Sequence, residues 1–347
     1  MPMQSRRLFL SSLAAGLLLP FPTAVALPVD PTSPDLPRVT ALIKDAIRRH
    51  RLDGVAAIAH QGERVLYRGY FGDIGPGTAI DVASASKWVA GLVIMALVGQ
   101  GRLRLDMTLA DAGLVSTGPK AGITLAQLMS HTSALPDTGP FWQDRRYPTP
   151  QAAAAKLTDM DLIGEPGQVF AYAGVSMEVA AFMAEQAGGA DWNSLFRRLI
   201  ADPLGLSPAC RWGDRWGVAG GLIASPDDFE RILLLIARQG VMADGQRLLP
   251  ADIFPVMEHD QIGDARRKQQ PNAAAAMQGY GIGMWCEQRE AGGACPTISS
   301  PGYFGTWPRI DRSRDLTILL MVKSRLRTVI DDWQAIIQAL SSAAAPG

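Results

Sequence analysis

The sequence predicts an α/β fold of the α+β type: an antiparallel sheet built from both ends of the chain, flanked by helices, with a mostly helical region inserted between. Two observations carry this. Runs rich in β-branched and aromatic residues cluster at 54–70 and again at 280–322. Between them, apolar residues recur at helical spacing, punctuated by Pro and Gly. The 347 residues are 48% hydrophobic and 19% charged, enough to bury a sizeable core and too apolar for a mainly disordered chain.

The elements follow in order. Residues 1–26 combine a basic start, an apolar stretch from Leu8 to Leu19, a proline-bearing break and Ala24-Val25-Ala26. This is the layout of a cleavable export signal, and Ser5-Arg6-Arg7-Leu8-Phe9-Leu10 is expected to direct it to the twin-arginine route. The apolar run is too short to span a bilayer. The protein is therefore expected to be periplasmic or secreted, with no stable membrane span after cleavage. Loss of Arg6 and Arg7 leaves 31 basic against 33 acidic residues, a net charge of −2. The proline-rich stretch 27–37 is read as an extended lead-in, and 38–347 as one domain.

Within that domain, strands are expected at 54–60 and 64–70, joined through Gln61-Gly62 as a hairpin. Helices are expected at 84–98, 124–131, 149–158, 175–187, 191–200 and 226–239. Ala273–Ala276, after the polar 264–272 segment, is read as a surface loop. Strands follow at 280–287, 303–310 and 316–322. Helical spacing closes the chain at 328–340, with Val329, Ile330, Trp333, Ile336, Ile337 and Leu340 on one face. The sheet portion thus spans about 38–80 and 278–345, and the helical portion about 100–215.

Charge and composition exclude several functions. The chain carries 33 basic and 33 acidic residues and no block of five like charges, so nucleic acid is not an expected partner. Four histidines and three cysteines, with no HExxH and no paired CxxC, leave no expected metal site, and no cofactor is implied. Cys286 and Cys295 flank a turn-like stretch. In an oxidising compartment they either pair across a hairpin or remain free. Cys210 is read as a buried small hydrophobe.

The stretch Asp81-Val82-Ala83-Ser84-Ala85-Ser86-Lys87-Trp88 precedes the almost wholly apolar 89–98. A helix apolar on all sides belongs in the centre of a domain. Ser84 and Lys87, three apart, share a helix face. A lysine at the positive end of a helix does nothing for helix stability. It does suit a base that activates a serine, because burial and a positive field disfavour its charged form. The backbone N–H of Ser84 would serve an oxyanion. The competing description, Ser84 as an N-cap and Lys87 reaching to water, fits the same spacing. No G-x-S-x-G elbow is present, and His131 is expected to cap or brace a helix end rather than act as a base.

From about residue 40 to 340 the chain resembles the serine β-lactamase and penicillin-binding-protein superfamily, in its class C-like branch with esterases, D,D-peptidases and nylon-oligomer hydrolases. Ser84-Ala85-Ser86-Lys87 and the stretch 123–133, ending Ser130-His131-Thr132-Ser133, carry the resemblance. So do 165–172, Pro203-Leu204-Gly205-Leu206, 219–225 and Tyr280-Gly281-Ile282-Gly283. The resemblance implies a β-lactamase/D,D-peptidase-like fold with Ser84 as nucleophile and Lys87 as base. The branch's Tyr-x-Asn reads Tyr172-Ala173-Gly174, which keeps a proton-shuttling Tyr172 and loses the asparagine. Its third motif aligns with Ser300-Pro301-Gly302, so the N–H of Tyr303 would join that of Ser84 in the oxyanion hole, with Ser300, Gly302 and Trp88 contacting substrate. Trp88, Phe141, Trp142, Tyr303 and Trp307 are candidates for an apolar acyl pocket.

Ser300-Pro301 offers no cation and one backbone donor fewer, which weakens recognition of a carboxylate-bearing penicillin. The expected function is an exported serine hydrolase acting through an acyl-enzyme on small carboxylic esters or short amides. The alternatives are chemistry on β-lactams or D-amino-acid peptides, and a catalytically silent cell-wall-binding or scaffold protein. Oligomeric state is left open.

Overall fold

The computed structural model describes residues 36–136, 149–213 and 217–345. The first half of the chain runs α1 (Pro37–His50), β1 (Gly54–Gln61), β2 (Arg64–Gly72), β3 (Ile80–Asp81), α2 (Ser86–Gly99), α3 (Leu125–Met129), α4 (Pro150–Ala155), β4 (Val169–Ala171) and α5 (Gly174–Gly188). It continues with α6 (Trp192–Phe196), β5 (Arg211–Trp212), β6 (Leu222–Ala224), α7 (Pro226–Ala237), α8 (Ile253–Glu258) and β7 (Arg266–Gln269). The last portion is β8 (Gly279–Tyr280), β9 (Trp285–Gln288), β10 (Thr297–Ser299), β11 (Trp307–Asp311), β12 (Leu316–Val322) and α9 (Leu326–Ala343).

Seven strands form one antiparallel sheet in the order β2-β1-β12-β11-β10-β9-β8, so the two ends of the chain meet where β1 pairs with β12. Their register sets Ala57 opposite Leu320 and Ile58 opposite Leu319. Because strand side chains alternate, the two faces receive different residues. Val55, Ala57, Ala59, Ile318 and Leu320 pack with Val39 and Ile43 of α1 and Val329, Trp333 and Ile336 of α9. Ala56, Ile58, Leu319 and Met321 join the larger core around α2, α5 and α7. With both faces covered, β1 and β12 are buried along nearly their whole length, which is why their sequences read as continuous apolar runs.

Several sequence expectations change. The segment 280–287 is two short strands rather than one: Gly281 and Gly283 let the chain turn back, the Gly281 N–H bonds the Met284 carbonyl at 2.9 Å, and Gly279 pairs with Cys286. Residues 303–306 form a turn, and the strand begins at Trp307. Pro37 belongs to the first turn of α1, an amphipathic helix that the proline-rich lead-in obscured. Ala274 packs into the core, although Ala275 and Ala276 are exposed. Strand β10, with three residues, and the short α8 carry too little periodicity to stand out.

Cys286 and Cys295 form a disulfide across the hairpin of β9 and β10. Cys210 is buried, and burial pushes its thiol well above the usual range, so it behaves as a small hydrophobe. Among the described residues no helix is long and apolar enough to cross a membrane.

Candidate active site

Ser84 lies in a tight 3-10 turn, Ala83–Ala85, immediately before α2. Leu92, Val93, Ile94 and Leu97 of α2 have no exposed surface. Each such side chain contributes about 1.5–3 kcal/mol on burial, so the helix start is held rigidly. Ala83 takes a left-handed conformation, φ 49°, a strained choice for a residue with a Cβ and a common one where a side chain is being aimed. The turn is tied to β6: the Val82 N–H reaches the Leu222 carbonyl at 3.1 Å, the Leu222 N–H reaches Ser86 Oγ at 3.0 Å, and Ser86 Oγ donates to the Ala83 carbonyl at 2.6 Å. Ser86 is thus a brace for the Ser84 turn, and a serine in that position carries no spacing signal of its own in the sequence.

Lys87 is buried, and its Nζ lies 3.3 Å from Ser84 Oγ. It also donates to the Ala219 carbonyl at 2.7 Å and sits 4.7 Å from the centre of the Tyr172 ring. The Tyr172 hydroxyl hydrogen-bonds Ser84, and burial pushes its pKa well above the usual tyrosine range despite that bond. At neutral pH it therefore holds its proton. Ser84, Lys87 and Tyr172 thus converge on one point from α2, from the turn before it and from the β4–α5 junction.

His131 positions Tyr172. Its backbone carbonyl accepts the Ala171 N–H at 2.9 Å and its Nδ1 accepts the Ala173 N–H at 3.2 Å, gripping the residues on either side of the tyrosine. An Nδ1 that accepts leaves the ring proton on Nε2. Burial, then the charge of Lys87, holds the histidine well below its usual pKa, so it is neutral. Its ring packs 4.6 Å from that of Tyr172, which stacks on Trp285 at 5.2 Å from the other side. His131 was expected to cap or brace a helix end, and it does so at α5: its Nδ1 holds the N–H of Ala173, the N-cap residue of that helix, and the same contact steadies Tyr172, residue 131 having turned away from α3 with φ 59°.

The third segment also arrives here. Ser300 is buried, and its hydroxyl donates to the Ser84 carbonyl at 3.1 Å, so it secures the Ser84 turn. Gly302 abuts the same turn: a Cβ there would lie 2.1 Å from the Val82 carbonyl oxygen. Bonds from the Gly302 N–H to the Thr306 carbonyl at 2.7 Å and from the Gly305 N–H to the Gly302 carbonyl at 2.9 Å fold the chain tightly around half-buried Tyr303.

The expected apolar pocket is different. Trp88 has no exposed surface and Trp307 almost none; both pack in the core, because each side chain points into a covered face, and Trp88 cannot contact substrate in this arrangement. Phe141 and Trp142 lie outside the described residues.

The family model described as Beta-lactamase matches residues 39–341. The D-alanyl-D-alanine-carboxypeptidase/endopeptidase AmpH of Escherichia coli is 28% identical over 169 residues, 44% of each protein. Esterase EstB of Burkholderia gladioli is 25% identical over 195 residues, 49% of this chain and 50% of EstB. The chain therefore spans about half the length of these relatives. A solved structure from Bacteroides dorei, described as a candidate beta-lactamase, superposes with TM-score 0.75 at 26% identity, covering 88% of this chain and 99% of the other.

Proposed function

The chain belongs to the beta-lactamase family of hydrolases, and from that premise we propose that it is a serine hydrolase acting on small carboxylic esters or short amides through an acyl-enzyme at Ser84. The observation that carries this reading is the position of Ser84 Oγ, 3.3 Å from the Lys87 amine and hydrogen-bonded to the Tyr172 hydroxyl. In the acylation step the unprotonated amine of Lys87 takes the Ser84 proton as Oγ attacks the substrate carbonyl. The N–H groups of Ser84 and Tyr303 stabilise the resulting oxyanion. Tyr172 then passes a proton to the leaving alcohol or amine as the carbon–heteroatom bond breaks, and is resupplied from Lys87. Water gives its proton to the regenerated lysine amine as it attacks the acyl carbonyl, and Lys87 returns that proton to Ser84 Oγ as the acyl–oxygen bond breaks and the acid leaves.

The substrate preference follows from the third segment. The Ser300 hydroxyl proton is committed to the Ser84 carbonyl, and Pro301 has no N–H, so this edge supplies little for a substrate carboxylate. A neutral ester or simple amide demands less. Similarity to an esterase supports that choice, and similarity to AmpH makes D-amino-acid peptides and β-lactams the second reading.

A direct test incubates the protein with a short-chain p-nitrophenyl ester, a chromogenic cephalosporin and a D-alanyl dipeptide, alongside Ser84→Ala. Ester turnover that vanishes in Ser84→Ala is expected. Undiminished turnover in that variant overturns the mechanism, and cephalosporin turnover matching the ester overturns the preference. A wild type inert to all three, and unlabelled by a fluorophosphonate, points to a silent scaffold. Export rests on the signal-like character of residues 1–26, and N-terminal sequencing of protein from the extracytoplasmic fraction is expected to begin at Leu27.

A further inference from the structure

Glu178 lies on α5 one turn beyond Gly174 and is buried, 5% exposed. A buried carboxylate is costly unless its charge is answered. Here the answer comes from a loop. Oε1 accepts the Ala219 N–H at 3.2 Å and the Val218 N–H favours the ionised carboxylate, while Oε2 is buried with no hydrogen-bond partner among the described residues. Residue 217 approaches so closely that a Cβ would lie 2.5 Å from Oε1, and its φ of 61° suits glycine, which it is. The backbone of 217–219 is therefore wrapped around the carboxyl group. Ala219 in turn offers its carbonyl to Lys87 Nζ at 2.7 Å. A single loop residue is held by Glu178 through its N–H and holds Lys87 through its carbonyl.

We infer that Glu178 is a positioning residue for Lys87: its carboxyl group shapes the loop that fixes the lysine amine, and its charge controls how readily that lysine gives up its proton. The inference rests on the reading of Lys87 as the base of the reaction. The groups that face Glu178 are Lys87 from α2, the two amides of the 218–219 loop, and Glu185 further along α5. Burial pushes the Glu178 carboxyl up to about 7, the amides and Lys87 pull against that rise, and Glu185 adds to it. The carboxyl group thus changes charge across the neutral range. Ionised, it favours the ammonium form of Lys87, which cannot act as a base; uncharged, it releases that hold.

Glu178→Gln keeps the shape of the side chain and an acceptor for Ala219 while removing the charge. The acid limb of kcat/KM against pH, measured with a p-nitrophenyl ester, is expected to move down by about one pH unit. A merely structural role lowers activity or stability without moving that limb. Fluorophosphonate labelling of Ser84 is followed in parallel. Label on Ser84 with an unmoved limb overturns this inference and leaves the acyl-enzyme reading intact, whereas absence of label overturns that reading. A second measurement needs neither turnover nor the glutamine variant. Infrared difference spectra report the titration of buried carboxyl groups in the unmutated protein and in Lys87→Ala. Coupling is reciprocal, so loss of the lysine charge is expected to raise the carboxyl midpoint by about one unit. An unchanged midpoint overturns the inference, whether or not Ser84 is acylated.

Discussion

Replacing Gly302 by alanine would set a methyl carbon 2.1 Å from the Val82 carbonyl oxygen and 3.3 Å from the Ala85 amide nitrogen. A carbon rests no closer than about 3.3 Å from a carbonyl oxygen. Both obstructing groups are backbone, so no side-chain rotation relieves the clash, and the 302–305 turn must retreat from the Ser84 turn by about 1 Å. That retreat carries Tyr303 away from the proposed oxyanion site and strains the bond from Ser300 to the Ser84 carbonyl. Displacement on this scale costs about 10²-fold in kcat/KM. The overpacking itself costs about 1–3 kcal/mol of stability. The assay pairs p-nitrophenyl ester kinetics with urea unfolding, using Gly292→Ala as control, because Gly292 is exposed and has open space where its Cβ would be. If Gly302→Ala folds and its kcat/KM stays within about twofold of the unmutated enzyme, this contact does not set the oxyanion geometry and the reasoning fails.

Four further outcomes are expected. Tyr172→Phe removes the hydroxyl that bonds Ser84 while keeping the stack on Trp285; kcat is expected to fall about 10²–10⁴-fold with an unchanged unfolding midpoint, and retention of full activity would remove the tyrosine from the proton path. Reducing the Cys286–Cys295 bridge, which closes a loop of sequence separation 9, is expected to cost about 3 kcal/mol in denaturant unfolding, and no change would mean the hairpin is equally ordered without it. Trp333→Ala empties a fully buried site and deletes the indole N–H bond to the Gly305 carbonyl, 2.8 Å long; a loss of about 3–5 kcal/mol is expected by the same measurement. The Glu178 carboxyl has a folded value of about 7 against an ordinary 4.5, so the folded state binds the extra proton. Its contribution to stability is full below about 4.5 and declines as pH rises to about 7, by about 3 kcal/mol, and Glu178→Gln is expected to flatten that decline.

Local signals were legible where one element sufficed to make them. The apolar helix α2 with Ser84 and Lys87 at its start is a pattern of one helical turn, and 316–322 is a strand because nearly every residue in it is apolar. The strand 280–287 was misread because two strands of opposite direction are contiguous there, and aromatic content does not reveal the reversal at Gly281 and Gly283. Likewise Trp88 and Trp307 were credited to a pocket because an aromatic residue near a motif looks the same whether it faces substrate or core; burial decides, and burial depends on which sheet face is covered.

Tyr172 was placed only by the resemblance to the serine β-lactamase superfamily; the sequence by itself determined the class of fold, the spacing of Ser84 and Lys87 at the start of an apolar helix, and the scarcity of histidine. These are properties of composition, periodicity and short spacing, which survive in one dimension. Only the tertiary structure decided that the helix end His131 holds is the start of α5 beside Tyr172, that Ser86 and Ser300 brace the Ser84 turn, and that Glu178 reaches Lys87 through Ala219. Each of those contacts joins residues 40 to more than 200 positions apart. Their partners are chosen by how helices and sheet pack, and no local pattern records that choice.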